Sequence, residues 1–384
     1  MRSGFWKNLT RPIFALAPMA NVTDCAFRAI IAKYSKFDGA NIFDEQGKFT
    51  RRSSSEASVG GPDVMFTEFT SCDGLQSPGR AKLLIDFKFS EAERPIVAQI
   101  FGSKPDNFYK TALLIQELGF DGIDINMGCP DRNVEKQGAG AKLMQNPKLA
   151  AEIIAATKRG AGQLPISVKT RVGFNKVEMD TWLPYLLEMD LAAIIIHART
   201  RKEMSKVPAR WEHVKRAVEI RDDFFGNFSR GGVTPPLRDQ TLILGNGDVL
   251  DINDAKNKIT ETSADGVMIG RGIFGNPWLF RDCHSDVAGG ISVSPIDGQR
   301  SLVGREASLG MTVGTKQKLF VMVEHTKLFE RLLSEHKNFD IMKKHYKAYV
   351  NGFPGAKELR VELMENAKSA EDVERIVKQF IKTI

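Results

Sequence analysis

The sequence predicts an α/β protein, a (β/α)8 TIM barrel followed by a C-terminal helical domain. Two observations carry that expectation. Over roughly the first 280 residues, eight short runs rich in apolar and β-branched residues alternate with longer segments whose apolar residues recur at helical spacing. Polar residues stand at the carboxyl end of nearly every run, which is where barrels of this kind carry their sites. The hydrophobic fraction (42%) and charged fraction (26%) of the 384 residues are those of a globular protein. No apolar run approaches the roughly 18 residues that span a bilayer, so no membrane is expected.

The candidate strands are 13–17, 64–69, 95–101, 122–126, 166–170, 192–197, 241–245 and 266–270, near-continuous apolar runs of the kind buried on both faces. Segments 104–118 and 148–159 carry helical spacing between them. An open doubly wound sheet would call for a glycine-rich fingerprint after its first strand, where this chain has APMANVTD. The N-terminus is not read as a signal peptide, because APMA leads straight into that loop; a cytoplasmic location is expected. Three stretches break the rhythm and read as loops or insertions: 38–62 is polar and Ser-rich, 226–239 Gly/Pro-rich, and 283–315 Gly/Ser-rich. This divides the chain into a barrel at 1–282, a linker at 283–315 and a helical segment at 316–384. That last segment holds fourteen Lys/Arg against ten Asp/Glu, or +4 of the net +7, a balance that suits a polyanionic partner. Cys25, Cys72, Cys129 and Cys283 are scattered, with no C-x-x-C pair, so neither a disulfide framework nor a metal site is expected.

The strand ends deliver Pro18 and Met19, Gln99, Asn126 followed by Cys129, Lys169 with Arg171, His197 with Arg199, Asn246 with Gly247 and Asp248, and Gly270 with Arg271. Singly these have plain readings. GNGD and GRG fit ordinary tight turns, and His197 after three isoleucines fits a core histidine. Converging on one face, they read as a site. Glycine loops after the seventh and eighth strands are a ready phosphate cradle, and Arg271 adds a charge-assisted contact. Lys169 and Gln99 suit the edge of a flavin ring, where positive charge favours the reduced form. With no glycine-rich fingerprint after the first strand, the cofactor expected is FMN held by a barrel.

NMGCP at 126–130 with GAGAKLM at 138–144, VKTR at 168–171, IHART at 196–200, NGD at 246–248 and IGRG at 269–272 resemble the tRNA-dihydrouridine synthases. APMANVTDCAFR at 17–28 is similar to that family's flavin loop, and KKHYKAYVNGFPGAKELR at 343–360 to the helical tRNA-binding domain of its bacterial branch. The resemblance implies an enzyme in which NADPH reduces FMN and hydride passes to a D-loop uridine of tRNA. It implies Cys129 as the acid, Pro18, Met19, Gln99, Lys169, His197, Asn246, Gly247, Gly270 and Arg271 around FMN, and Asn126 on the flipped uracil. Arg199 and Arg201 would meet the nucleotide's phosphate. For Cys129 the chemistry agrees, since a thiol with a reference pKa of about 8.5 keeps its proton at neutral pH and can donate it. His345 and Tyr346 fit helix packing and RNA contact equally well. The segment RKEMSKVPARW after IHART is more basic than the family pattern and lacks its glycine. A monomer is expected. The rival readings are an FMN barrel of the dihydroorotate-dehydrogenase kind acting on a free pyrimidine, and a tRNA-binding folding factor without catalysis.

Overall fold

The computed structural model describes residues 3–37, 39, 60–228, 240–284 and 314–384. Nine strands form one all-parallel sheet: β1 (Ile13–Leu16), β2 (Met65–Phe66), β3 (Thr70–Ser71), β4 (Ile96–Phe101), β5 (Gly122–Met127), β6 (Ile166–Arg171), β7 (Ala193–His197), β8 (Leu242–Asn246) and β9 (Gly266–Ile269). Neighbours run β1-β9-β8-β7-β6-β5-β4-β2, and a parallel bridge between Ala15 and Val64 closes the ring. β3 also pairs with β4. Of the expected run 64–69 only Met65–Phe66 is a strand, and a second short strand, Thr70–Ser71, follows just beyond it. Thr67 takes the Gln99 N–H on its side-chain Oγ1 (3.0 Å), where a continuous ladder would use a backbone carbonyl. Gly266 lets β9 lie against β1, since a Cβ there would stand 2.2 Å from the Ile13 carbonyl oxygen.

Strand alternation sorts the core into layers. Ile13, Ala15, Val97, Ala193, Ile195, Leu242, Leu244 and Met268 form one buried cluster with Trp6. Their strand neighbours Phe14, Leu16, Ala98, Ile194, Ile196 and Ile243 belong to a second cluster that includes the helices. Continuing the inner set by two residues brings the chain to Gln99, His197, Asn246 and Gly270, so the period that fills the barrel also aims these positions at its mouth.

Helices α1 (Cys25–Ile31), α2 (Cys72–Leu75), α3 (Arg80–Leu83), α4 (Pro105–Glu117), α5 (Arg132–Lys136), α6 (Pro147–Gly160), α7 (Met179–Leu187), α8 (Glu212–Phe228) and α9 (Ile252–Thr262) accompany the strands. α8 continues two residues beyond the start expected for the 226–239 insertion, and 229–239 lie outside the described residues, as do 40–59. The linker is also narrower than expected. Buried Cys283 donates to the Gly61 carbonyl (3.3 Å), His284 pairs with Asp63 (2.9 Å), and Thr315 already opens a helix, leaving 285–313 outside the described residues.

The last segment folds as α10 (Thr315–Leu333), α11 (Met342–Tyr349), α12 (Ala356–Asn366) and α13 (Ala370–Ile381). These four bury a core of their own, which takes in Cys25, Ala26, Ala29 and Ile30 of α1. Phe27 and Ile31 of α1 face the barrel instead. One short helix therefore serves two cores. No helix among the described residues is long and apolar enough to cross a membrane.

Candidate active site

At the carboxyl ends of the strands lies a cleft of about 330 Å³, lined by Pro18, Met19, Lys169, Arg171, His197, Arg199, Asn246, Gly247, Asp248, Gly270 and Arg271. Pro130 brings the loop after β5 to its edge. Gln99 and Asn126 are buried beneath it. Gln99 donates to Asp124 (2.7 Å), which also accepts from Ser167 (2.6 Å), and Asn126 Nδ2 donates to Gln99 Oε1 (3.0 Å). Burial pushes the Asp124 carboxyl up to about 6.

The loop carrying Cys129 is held from four sides. Asn126 Oδ1 accepts the N–H groups of Gly128 (3.1 Å) and Cys129 (2.9 Å). Arg171 Nε donates to the Gly128 carbonyl (2.7 Å) and its Nη1 to that of Thr200 (3.0 Å), tying this loop to the one after β7. The Ala141 N–H donates to the Cys129 carbonyl (3.0 Å). Gly140, at φ +60°, has no room for a side chain, because a Cβ would stand 2.8 Å from the Cys129 carbonyl oxygen and 2.8 Å from Val134. That contact is why NMGCP and GAGA belong together. Cys129 is half-buried, and burial raises its thiol above the ordinary value, so it carries its proton at neutral pH.

The cleft is strongly cationic. Lys169 donates to Asn246 (2.9 Å), whose amide donates on to the Met268 carbonyl (2.8 Å). Burial, with Arg171 nearby, lowers Lys169 to about 8, and burial, with Arg199 and Arg201 adding, lowers Arg171 to about 10. Burial first, then the surrounding cations, drives His197 well below its ordinary value, so the imidazole is neutral. Asp248 pairs with both Arg199 and Arg271, the latter at 2.7 Å. Arg199 is buried and also donates to the Val207 carbonyl (2.6 Å). Arg201 lies apart from the cleft lining, paired with Glu135 and stacked over the Phe174 ring (5.0 Å).

The structure thus gathers most of the positions named from the sequence, with Gln99 and Asn126 one layer down, Cys129 beside the lining residue Pro130 without lining the cleft itself, and Arg201 outside. His345 and Tyr346 are both buried in the helical core, which settles them as packing residues. Sequence reasoning placed Asp248 at a strand end without its bridge between two arginines, and assigned no part to Asp124, which orients Gln99. Arg171 was visible at a strand end, and its clamp on Gly128 was not. The signal for Asp124 was available: in GIDIN it stands two residues before Asn126 and so shares its face.

A parallel barrel whose mouth gathers buried cations and glycine turns, with a protonated thiol one residue from its lining, is an enzyme-like barrel built to take an anionic ligand. Comparison with known proteins makes the assignment narrower. The dihydrouridine synthase (Dus) family model matches residues 15–384. The "Probable tRNA-dihydrouridine synthase" of Staphylococcus aureus (strain COL) is 37% identical over 99% of this chain and 96% of its own. The "Probable tRNA-dihydrouridine synthase 2" of Bacillus subtilis (strain 168) is 37% identical over 99% and 97%. Among solved structures, a morphinone reductase covers 73% of the chain and 86% of its own at 12% identity and a TM-score of 0.43, too loose a likeness to argue from. The chain belongs to the dihydrouridine synthase family, and with it to the flavin-dependent oxidoreductases that act on tRNA.

Proposed function

We propose that the chain reduces the C5–C6 bond of a D-loop uridine in tRNA, with FMN in the cationic cleft, NADPH as donor and Cys129 as the proton source. The protonated thiol of Cys129, one residue before Pro130 of the cleft lining and near enough to Arg171 of that lining to feel its charge, is the observation that carries this reading.

The fit of FMN rests on charge and shape. Lys169, Arg171, Arg199 and Arg271 face a single carboxylate among the described residues of the cleft lining, Asp248, an excess of positive charge that suits an anion. Gly247, at φ +122°, and Gly270 leave bare backbone there, and a Cβ on Gly247 would press on the His197 ring at 3.0 Å. Gly247, Gly270 and Arg271 would hold the phosphate. Lys169, Asn246 and neutral His197 would meet the ring system, with Gln99 ordering the layer below and Pro18 and Met19 closing one face. The chemistry supplied there is hydride transfer to C6 of the uracil, with NADPH restoring the reducing equivalents.

Addition of hydride at C6 leaves an electron-rich C5. The Cys129 S–H bond breaks as the C5–H bond forms, and solvent returns a proton to the thiolate. Arg171, close enough to favour the thiolate electrostatically, stabilises it in between. Asn126 serves by fixing the Cys129 turn, with a remaining amide hydrogen for the uracil. Because Arg199 is engaged with Asp248 and Val207, its part is to hold the floor of the phosphate end, and Arg201 is the better placed of the two for RNA. The base must leave its stack to reach this depth. We assign α10–α13 to gripping tRNA: α11 buries His345, Tyr346 and Tyr349 and turns Lys344 and Lys347 to solvent, a charge pattern suited to phosphates. The working form proposed is a cytoplasmic monomer.

Incubation of purified protein with NADPH and unmodified tRNA tests the reading. Nuclease digestion and mass spectrometry should show a two-dalton gain confined to one D-loop fragment. Protein that binds FMN and tRNA yet leaves every fragment unchanged would sink it.

A further inference from the structure

The turn after α10 sends Lys337 back to the barrel, where its side chain, 11% exposed, lies between two carboxylates, pairing with Glu68 and with Asp86 (3.0 Å). The second oxygen of Glu68 accepts the backbone N–H of Asn21. Asn21 sits at φ +53°, in the left-handed region that Asn adopts more readily than most non-glycine residues. It belongs to the same turn as Met19, which is closed by the Met19 N–H donating to Thr23 Oγ1 (2.8 Å) and the Thr23 N–H donating to the Met19 carbonyl (3.0 Å). From the other side, Arg28 donates to the Thr23 carbonyl (2.6 Å). A chain of direct contacts therefore runs from the helical tail to the loop that lines the cleft.

The charges make Lys337 the centre of this arrangement. Asp24 is buried at the start of α1, with Oδ2 lacking a hydrogen-bond partner among the described residues. Burial and the Glu68 charge push its carboxyl up to about 7. Glu68 thus faces Asp24 and Asp86 with Lys337 as the cation between them. Without that cation, like-charge repulsion would drive the Glu68 carboxylate to swing away from Asp24 and Asp86, and Asn21 would lose its acceptor.

We propose that Lys337 is a positioning residue for the cofactor, through which the docked helical tail sets the Pro18–Met19 loop. The tail thereby completes the barrel's cofactor site as well as binding RNA. This rests on the reading that the cleft holds FMN.

The test is FMN affinity of the full-length, flavin-stripped chain, followed by quenching of flavin fluorescence. Lys337→Met should raise the FMN dissociation constant roughly tenfold or more, as expected for breaking a buried pair. Adding Glu68→Gln, which still accepts from Asn21 and needs no counter-charge, should bring it back to within about threefold of wild type. Recovery by the second substitution separates positioning from general damage, and the double variant keeps the test available should Lys337→Met fold poorly. Equal FMN affinity in wild type and Lys337→Met would overturn the inference, as would a double variant no better than the single one. Wild-type protein that takes up no FMN would instead overturn the flavin reading, and this inference with it.

Discussion

At the scale of single residues, the decisive atom is the Cys129 sulfur. Its half-buried position raises the thiol above its ordinary value, which suits a proton donor and disfavours a resting nucleophile. Cys25 and Cys72 are raised too, but both are fully inside apolar cores away from the cleft, where burial keeps a thiol inert. Cys129→Ala should therefore lower single-turnover reduction of tRNA by roughly 100-fold or more, the usual contribution of a positioned acid. FMN affinity and flavin reduction by NADPH should stay within about twofold, because the methyl group of alanine leaves the Asn126 and Arg171 bonds to the loop backbone in place. Rapid-mixing absorbance at the flavin band separates the two half-reactions. A variant slowed equally in both would locate Cys129 in the cofactor's support and remove it from proton transfer.

At the scale of elements, the same spacing that announced the strands also announced the site, since the inner face of a strand continues directly to its mouth. That is why Gln99, Lys169, His197 and Asn246 were legible as polar residues at the ends of apolar strands. What a strand end cannot show is reach. Arg171 crosses to Gly128, and Lys337 crosses from the tail to Glu68, over a separation of 269 residues. The split of the second strand was hidden for a similar reason, because Thr67 looks like an ordinary β-branched strand residue until its hydroxyl takes over a ladder bond. Glycines were half legible: GAGA marked a tight approach without saying to what. Gly140→Ala tests the answer. A left-handed alanine with its Cβ against the Cys129 carbonyl should cost about 1–3 kcal/mol and slow proton transfer by disturbing the turn. Gly226→Ala, in an open position of α8 with nothing within 4 Å, should instead stabilise by up to about 1 kcal/mol. Urea unfolding of the two variants measures both, and equal effects would mean that the close approach at Gly140 is not what the loop requires.

For the whole molecule, the joint between barrel and tail carries an unusual pair of histidines. His325 of α10 and His345 of α11 are both fully buried, their rings 4.6 Å apart at 78° and both stacked near Phe27 of α1. Neither His325 nitrogen has a hydrogen-bond partner among the described residues, nor does His345 Nε2. Burial lowers His345 to about 3, with Lys344 adding to it, and lowers His325 well below its ordinary value. Both rings are neutral in the folded chain, while in the unfolded chain they take up protons below about pH 6.5. The unfolded state then binds more protons, so the stability tied to each ring is present above pH 6.5 and is lost as pH falls from there toward 3, by about 1.4 kcal/mol per pH unit. Asp24, raised to about 7, and Asp124, raised to about 6, act in the opposite sense. Their folded forms bind protons that the unfolded forms do not, so acidification from pH 7 to 5 strengthens them. The total pH profile of the protein is therefore a poor readout, because terms of similar size cancel. A difference against a variant lacking one ring isolates its share. His345→Phe keeps an aromatic ring against Phe27 and removes the titration, so any packing penalty it carries is independent of pH. Relative to wild type it should gain about 2 kcal/mol between pH 7.5 and pH 5 in urea unfolding followed by circular dichroism. A difference that stays flat over that range would mean His345 is protonated as readily in the fold as in the open chain. The joint between barrel and tail would then admit water, which a fully buried ring pair does not allow.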